Sequence, residues 1–341
     1  MIIAGAGLAG LAAALELRER RAKVLVLERG EPGREASTAA AGMLAATDPE
    51  TPPALRAMAL ESARIYPEFV EKLERSTGVA VDFRRQGSIV LGEKAPPASY
   101  QRLLPEQLQN LEPGLQSHGV PAFLVREDSV DPVRLMQAAI RAAELAGVEI
   151  RTNVTVQQMR WNGNQAEVTT DKGTLSAPSA VNCMGAWSGA PVKPRKGQML
   201  YLEPAKSGAL QHVVRAPEAY IVPRSSGQIL VGTTLEDVGF DKSVHQKTIQ
   251  DMHGAAAKYI PELVTARVAA SWAGLRPGTP DDLPLIGPTD QRNIFIASGL
   301  FRNGILLAPL TAKVTADLVM GKQPEIDITA FSPSRFAVSR A

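Results

Sequence analysis

The sequence predicts an α/β protein: a Rossmann-like dinucleotide-binding domain interleaved with an α+β domain built on an antiparallel sheet. Three observations predict it. A short apolar strand runs into Gly5-x-Gly7-x-x-Gly10 and then into an apolar helix. The same order of strand, glycine loop and helix recurs near the far end, over residues 293–320. Between them, β-like segments recur at residues 198–202, 220–223 and 228–231, a pattern of antiparallel pairing.

The first loop is what a dinucleotide needs. Gly5 permits a tight turn, Gly7 lets backbone approach a pyrophosphate, and Gly10 lets the helix pack close to the strand. The helix covers residues 8–21, with Leu8, Leu11, Ala12 and Leu15 on one face and arginines in its last turns. Residues 23–27 form a buried parallel strand, and Glu28 follows it at once. A carboxylate there is placed to accept hydrogen bonds from a ribose; alone it would read as a solvated loop acid. The strand before Gly5 is short, which leaves this end of the sheet lightly supported.

Residues 36–42 are a run of very small side chains, through which backbone amides can approach a bulky planar ligand. The plain alternative is an alanine-rich helix start. A long helix covers residues 53–76, with Leu55, Met58, Ala59, Ile65, Phe69 and Leu73 at helical spacing. Strand character follows at residues 83–91, with Gly87 marking a bend, and residues 92–116 read as loop and short helices. After a strand at 122–125, Asp131 and Pro132 cap a helix that ends at Gly147. Residues 148–152 return to the nucleotide-type sheet. Residues 154–160 and 166–170 form a hairpin about Asn162-Gly-Asn, residues 179–184 a strand, and residues 244–259 a helix. Arg276 stands between an apolar strand and a Pro-Gly turn, where a guanidinium can pair with a carboxylate; without further context it reads as a surface arginine. The closing helix, residues 305–320, presents its N-terminus to the second glycine loop and favours negative charge there. Reduced flavin is anionic and reduced nicotinamide is not, so two such loops argue for FAD spanning both.

Composition narrows the class. The chain has 341 residues, 45% hydrophobic and 21% charged, ordinary for a globular protein with a sizeable core. A net charge of +2 gives no pull toward nucleic acid or an anionic membrane. No apolar run reaches the ~18 residues of a membrane span. The glycine loop at residue 5 leaves no room for a signal peptide, and a single cysteine, Cys183, fits a reducing compartment; a cytoplasmic location is expected. Cys183 reads as core filler, and the four histidines lack metal-ligand or catalytic spacing, so no metal is expected.

Several stretches carry a specific resemblance: Ala39-Ala-Ala-Gly-Met-Leu, Gly274-Leu-Arg-Pro-Gly-Thr and Phe301-Arg-Asn-Gly-Ile-Leu-Leu-Ala-Pro, in order with the opening loop, Glu28 and Tyr220–Pro223. Over nearly the whole chain the sequence resembles the D-amino-acid oxidase family of FAD enzymes, in its branch that oxidises glycine and serves thiamine biosynthesis. The resemblance implies FAD contacts at Gly5, Gly7, Leu8, Ala9, Gly10, Glu28, Arg29, Ala36, Ser37, Ala41, Gly42, Met43, Val154, Leu300, Phe301, Arg302, Asn303, Gly304, Ile305 and Leu306. It makes Arg276 the carboxylate-binding residue, supported by Tyr220, with Arg302 as a second arginine at the substrate. Two departures stand near the implied pocket: the branch carries histidine where Leu300 stands, and another near the position of Glu218.

The implied organisation is a discontinuous FAD domain (residues 1–80, 140–192 and 284–341) and a substrate domain (81–139 and 193–283). The implied reaction is oxidation of glycine, sarcosine or a small D-amino acid by hydride transfer to flavin N5. It yields an imino acid, then a 2-oxo acid and ammonia, with O2 reduced to hydrogen peroxide. No side-chain base is expected. Two alternatives stay open: a dehydrogenase that passes electrons to a quinone or partner protein, and a non-catalytic FAD-binding subunit. A homo-oligomer is compatible with either.

Overall fold

The computed structural model describes residues 1–92, 97–206 and 208–336. A six-stranded sheet carries the opening loop. Its strands lie in the order Leu285–Pro288, Ile294–Ser298, Ala180–Asn182, Ile2–Ala4, Leu25–Leu27, Glu149–Arg151. All neighbours are parallel except the edge strand Leu285–Pro288, which runs antiparallel to Ile294–Ser298. The strand Ile2–Ala4 is only three residues long, yet it is central, paired on both sides and fully buried. Its short length is offset by position, so the light support expected at this end is not observed.

The opening helix, Leu8–Glu19, is buried at Leu8, Gly10, Leu11, Ala12, Ala13, Ala14 and Leu17. That is more than the single face its spacing predicts. It packs against the closing helix Gly304–Val319, itself apolar on nearly every side, and the helix Pro132–Leu145. Arg56–Thr77 completes this layer. Asp131 caps Pro132–Leu145 as predicted, its carboxylate accepting the Val133 and Arg134 N–H groups at 2.8 and 3.3 Å.

The second large sheet has eight strands, in the order Arg267–Gly278, Lys193–Glu203, Ile229–Gly232, Ala219–Pro223, Val213–Ala216, Ser88–Leu91, Ala122–Val125, Gln101–Leu103. It is antiparallel except where Val213–Ala216 runs parallel to Ser88–Leu91. Its longest members, Lys193–Glu203 and Arg267–Gly278, lie antiparallel side by side.

Several local readings change. The stretch 83–91 is two strands in different sheets, because Gly87 at φ +90° breaks the ladder. Gln101–Leu103, Asp128–Val130 and Val213–Ala216 are strands without a sequence signal. The predicted hairpin gains a third strand, Gly173–Ala177. Part of the stretch 92–116, residues 93–96, lies outside the described residues. Among the described residues no helix is long and apolar enough to cross a membrane.

Candidate active site

A cavity of about 1180 Å³ runs from the Gly5–Gly7 loop to Arg276 and Tyr220, along the junction of the two large sheets. At one end the glycines act as the spacing demands. Gly5 has φ +100°, and a Cβ there or at Gly10 would overlap backbone, of Cys183 and Gly5 respectively. Gly10 therefore seats the helix rather than lining the cavity. Gly7 is the helix N-cap, and the next amide, Leu8 N–H, donates to Ser37 Oγ at 2.9 Å. The amides of Ala9 and Gly10 fall in the first turn, where no intrahelical acceptor exists. Glu28 closes this end. Its Oε2 accepts Ala6 N–H at 2.8 Å and its Oε1 accepts Gly30 N–H at 3.0 Å. Each oxygen keeps a further lone pair for a hydroxyl.

Along the middle, Ala36–Ala39 is a single helical turn and Met43–Leu44 is extended, so the alanine-rich run is mostly a wrapping segment and not a long helix. Trp272 Nε1–H donates to the Ala39 carbonyl at 3.2 Å, and a Cβ at Gly274 would stand 2.5 Å from Ala39 Cβ. The second sheet therefore touches this run directly. Opposite lies the loop from Leu300 to Ile305, with Phe301 in the left-handed region at φ +45°. It delivers the N-terminus of Gly304–Val319 to the cavity.

At the far end, Arg276 is partly buried on the strand Arg267–Gly278. Its Nη2 donates to Thr233 Oγ1 at 2.7 Å and its Nη1 to the Thr234 carbonyl at 3.3 Å. Among the described residues no carboxylate pairs with it. Desolvation, with the positive charge of Arg302, pulls the guanidinium down to about 10, so it remains a cation at neutral pH. Tyr220 lines the same end; burial pushes its phenol up, so it is a neutral donor and not a base.

The structure gathers the implied residues around this one cavity, with two exceptions: Gly10 and Leu306 do not line it. Leu306 is buried in the core, its carbonyl accepting Ser62 Oγ–H at 2.6 Å. Arg302 lines the cavity but is half exposed and ion-paired with Glu50. Leu300 and Glu218 both border the cavity, and Glu218 pairs with Lys258 at 2.8 Å. Cys183 is buried and its thiol is pushed up to about 12, which makes it inert. The histidines stand away from the cavity; His212 is fixed by Glu112 at 2.7 Å. Sequence reasoning missed Gly197, Thr233, Thr234 and Trp187, which all border the cavity. Trp187 stacks under the Arg29 guanidinium, 3.6 Å from its ring centre. Only the pairing of distant strands could have pointed to the first three.

A profile described as FAD dependent oxidoreductase matches residues 1–318. The chain belongs to that family. This FAD-dependent oxidoreductase is 32% identical over 358 residues to the glycine oxidase of Pseudomonas putida, covering 98% of both chains. It is 36% identical to the bifunctional protein ThiO/ThiG of a Synechocystis species, over 98% of this chain and 54% of that one. The chain therefore spans about half the length of the bifunctional relatives it matches. The crystal structure of glycine oxidase from Geobacillus kaustophilus superposes with a TM-score of 0.92, at 32% identity over 98% of each chain. That of an iminodiacetate oxidase from a Chelativorans species gives 0.88, at 25% identity over 97% and 98%.

The residues present fit FAD. At about 1180 Å³ the cavity exceeds the size of a single small-molecule site. Two helix N-termini point at it, Glu28 has acceptor capacity left, and the small-residue run gives close backbone approach.

Proposed function

We propose that this oxidoreductase oxidises a small amino acid, glycine foremost, to its imino acid, which water converts to the 2-oxo acid and ammonia, with O2 as electron acceptor and hydrogen peroxide as by-product. One observation carries the reading: Arg276, a desolvated cation in the cavity wall with no carboxylate partner among the described residues. A substrate carboxylate would supply the missing charge. The names of the full-length relatives support the choice of glycine.

FAD, when bound, takes up the hydride lost from the substrate Cα. Its proposed holders are Glu28 at the ribose, the amides after Gly7 at the pyrophosphate, and the Ala36–Met43 and Leu300–Ile305 segments around the ring, with Arg29 and Val154 at the nucleotide end. Arg276 fixes the carboxylate, and the Tyr220 hydroxyl donates beside it. Holding a two-carbon substrate by its one charged end aligns its Cα, and this positioning is the main catalytic contribution of the chain. The substrate amine must be neutral, since its lone pair drives the loss of hydride. Three carboxylates that border the cavity are held by cations: Asp48 by Arg215, Glu50 by Arg302 and Glu218 by Lys258. Arg302 is proposed as a secondary contact, reached when Glu50 lets go.

We also propose two interleaved domains, FAD-binding (1–80, 140–192, 284–341) and substrate-binding (81–139, 193–283). Of the two main apolar clusters, the one under the eight-stranded sheet supports that division, whereas the other also takes in Val130, Leu135, Met136, Ala138 and Ala139, which argues for keeping the whole helix Pro132–Leu145 with the FAD-binding part.

A panel of small amino acids assayed for peroxide tests the reading, with a dye acceptor in parallel. Glycine-dependent peroxide is expected. Turnover with dye alone would replace the oxidase by a dehydrogenase, and no bleaching of the flavin by any amino acid would overturn both.

A further inference from the structure

We propose that Gly197 is the positioning residue for the Arg276 guanidinium. The inference rests on the reading of Arg276 as the carboxylate-binding group.

Gly197 lies in the middle of the strand Lys193–Glu203, opposite Gly274 on Arg267–Gly278. Its φ is not in the left-handed region, so the backbone does not require glycine there. Glycine inside a strand is destabilising relative to alanine, so some other gain is needed to account for it. The space its side chain would fill is taken by Arg276. A Cβ at residue 197 would stand 2.6 Å from Nη2 and 2.8 Å from Cζ, and nearer still to Nη1. The three nearest atoms all belong to the guanidinium. The Arg276 side chain thus folds back diagonally across the strand pair and lies flat on bare backbone.

The strand also anchors what the guanidinium bonds to. Gln198 N–H donates to Thr234 Oγ1 at 2.9 Å. Lys196 and Glu236 exchange both backbone hydrogen bonds at 2.9 Å. The Lys196 side chain, fully buried, reaches Asp241 at 3.0 Å and Glu236 at 3.5 Å. Residues 196 and 198 therefore hold the Thr233–Thr234 acceptors in place, and residue 197 leaves the floor open between them. With both directions fixed, the guanidinium presents its remaining N–H groups to the cavity at one depth. A methyl on that floor displaces the guanidinium, because a flexible side-chain end yields before a strand does.

The test is a double-mutant cycle on the FAD-loaded protein. Glycolate, which has the carboxylate and lacks the amine, is titrated by its perturbation of flavin absorbance. Gly197→Ala is expected to weaken glycolate at least tenfold and to raise the glycine KM more than it lowers kcat, with FAD affinity unchanged. In an Arg276→Lys background the same change is expected to cost less than twofold, since no guanidinium is left to displace. Equal losses in both backgrounds would overturn the proposal. If Gly197→Ala alone fails to fold, rescue of folding by Arg276→Lys supports the steric conflict, and failure of rescue overturns it. Unchanged glycolate binding in Arg276→Ala would sink the carboxylate reading itself, a result separate from either.

Discussion

The guanidinium of Arg224 reaches from the eight-stranded sheet to the Ala41 carbonyl, 2.7 Å away. It also donates to the Val130 carbonyl at 3.1 Å, is 4% exposed, and has no carboxylate partner among the described residues. A cation buried against two carbonyls fixes the small-residue segment, the proposed wrapping around FAD. Arg224→Met keeps the volume and strands both acceptors, at about 1–3 kcal/mol each. We expect FAD to bind about tenfold more weakly by fluorescence titration, with a lower Tm for the FAD-free protein.

Gly42 has φ +84°, and a Cβ there would overlap the Val130 carbonyl oxygen. That oxygen is backbone, and the next obstacle, the Pro132 ring at 2.9 Å, is closed onto its own backbone, so neither can give way cheaply. Gly42→Ala should cost on the order of 2–3 kcal/mol in denaturant unfolding. A loss under 0.5 kcal/mol would show that the segment has slack.

Removing the Arg276 charge should fall on substrate and not on cofactor. Hydrogen bonds to a charged group are worth about 1.5–3 kcal/mol, so Arg276→Ala should lower kcat/KM for glycine by about 10²-fold or more. FAD content should stay at the wild-type level. Arg276→Lys should recover part of the binding as a point charge and little of the alignment.

Glu50 and Arg302 form an exposed ion pair at the cavity rim, of a kind worth about 0–1 kcal/mol to stability. Glu50→Gln should leave thermal stability nearly unchanged. It should strengthen glycolate binding about two- to threefold, because a positive charge at the rim is released. Weaker binding would mean that Glu50 organises the rim.

The anchor of the Thr233–Thr234 segment is sensitive to acid. Hydrogen bonds from Gln198 and Thr234, with the Lys196 charge, hold the Glu236 carboxyl below its usual 4.5 although burial opposes them. Hydrogen bonds from Ser243 and Lys196 hold the Asp241 carboxyl well below its usual 3.8. Groups depressed on folding stabilise the folded state above their unfolded pKa and lose that contribution as pH falls through the folded value. Stability from this cluster should be complete above about pH 4.5 and decline below it. Lys196→Met should weaken that acid dependence without abolishing it, since the bonds from Ser243, Gln198 and Thr234 remain, read as Tm against pH.

What was legible in the sequence was what the chain places side by side. Gly5, Gly7 and Gly10 lie within one turn of chain, and Glu28 ends the next strand, so their joint role needs no knowledge of long-range pairing. The closing loop was legible for the same reason. Gly197 was not. Its partner lies 79 positions along the chain, and the conflict exists only in the register that sets Gly197 opposite Gly274. Thr233 and Thr234 come within hydrogen-bond reach of Arg276 through the same pairing. Strand Val213–Ala216 reads Val-Val-Arg-Ala, four residues too short to show an alternating pattern; its stability comes from pairing on both sides in the sheet.

The strand Arg267–Gly278 touches the small-residue run at Gly274, carries Arg276 two residues later, and meets Phe301 beside Gly278. One continuous peptide thus works as a gauge block between the proposed ring site and the proposed substrate anchor. Its three contact points are spaced by covalent geometry, so the gap between the small-residue run and Arg276 cannot be retuned by sliding one half past the other. Acceptance of a larger amino acid has to come from carving the walls around that fixed gap.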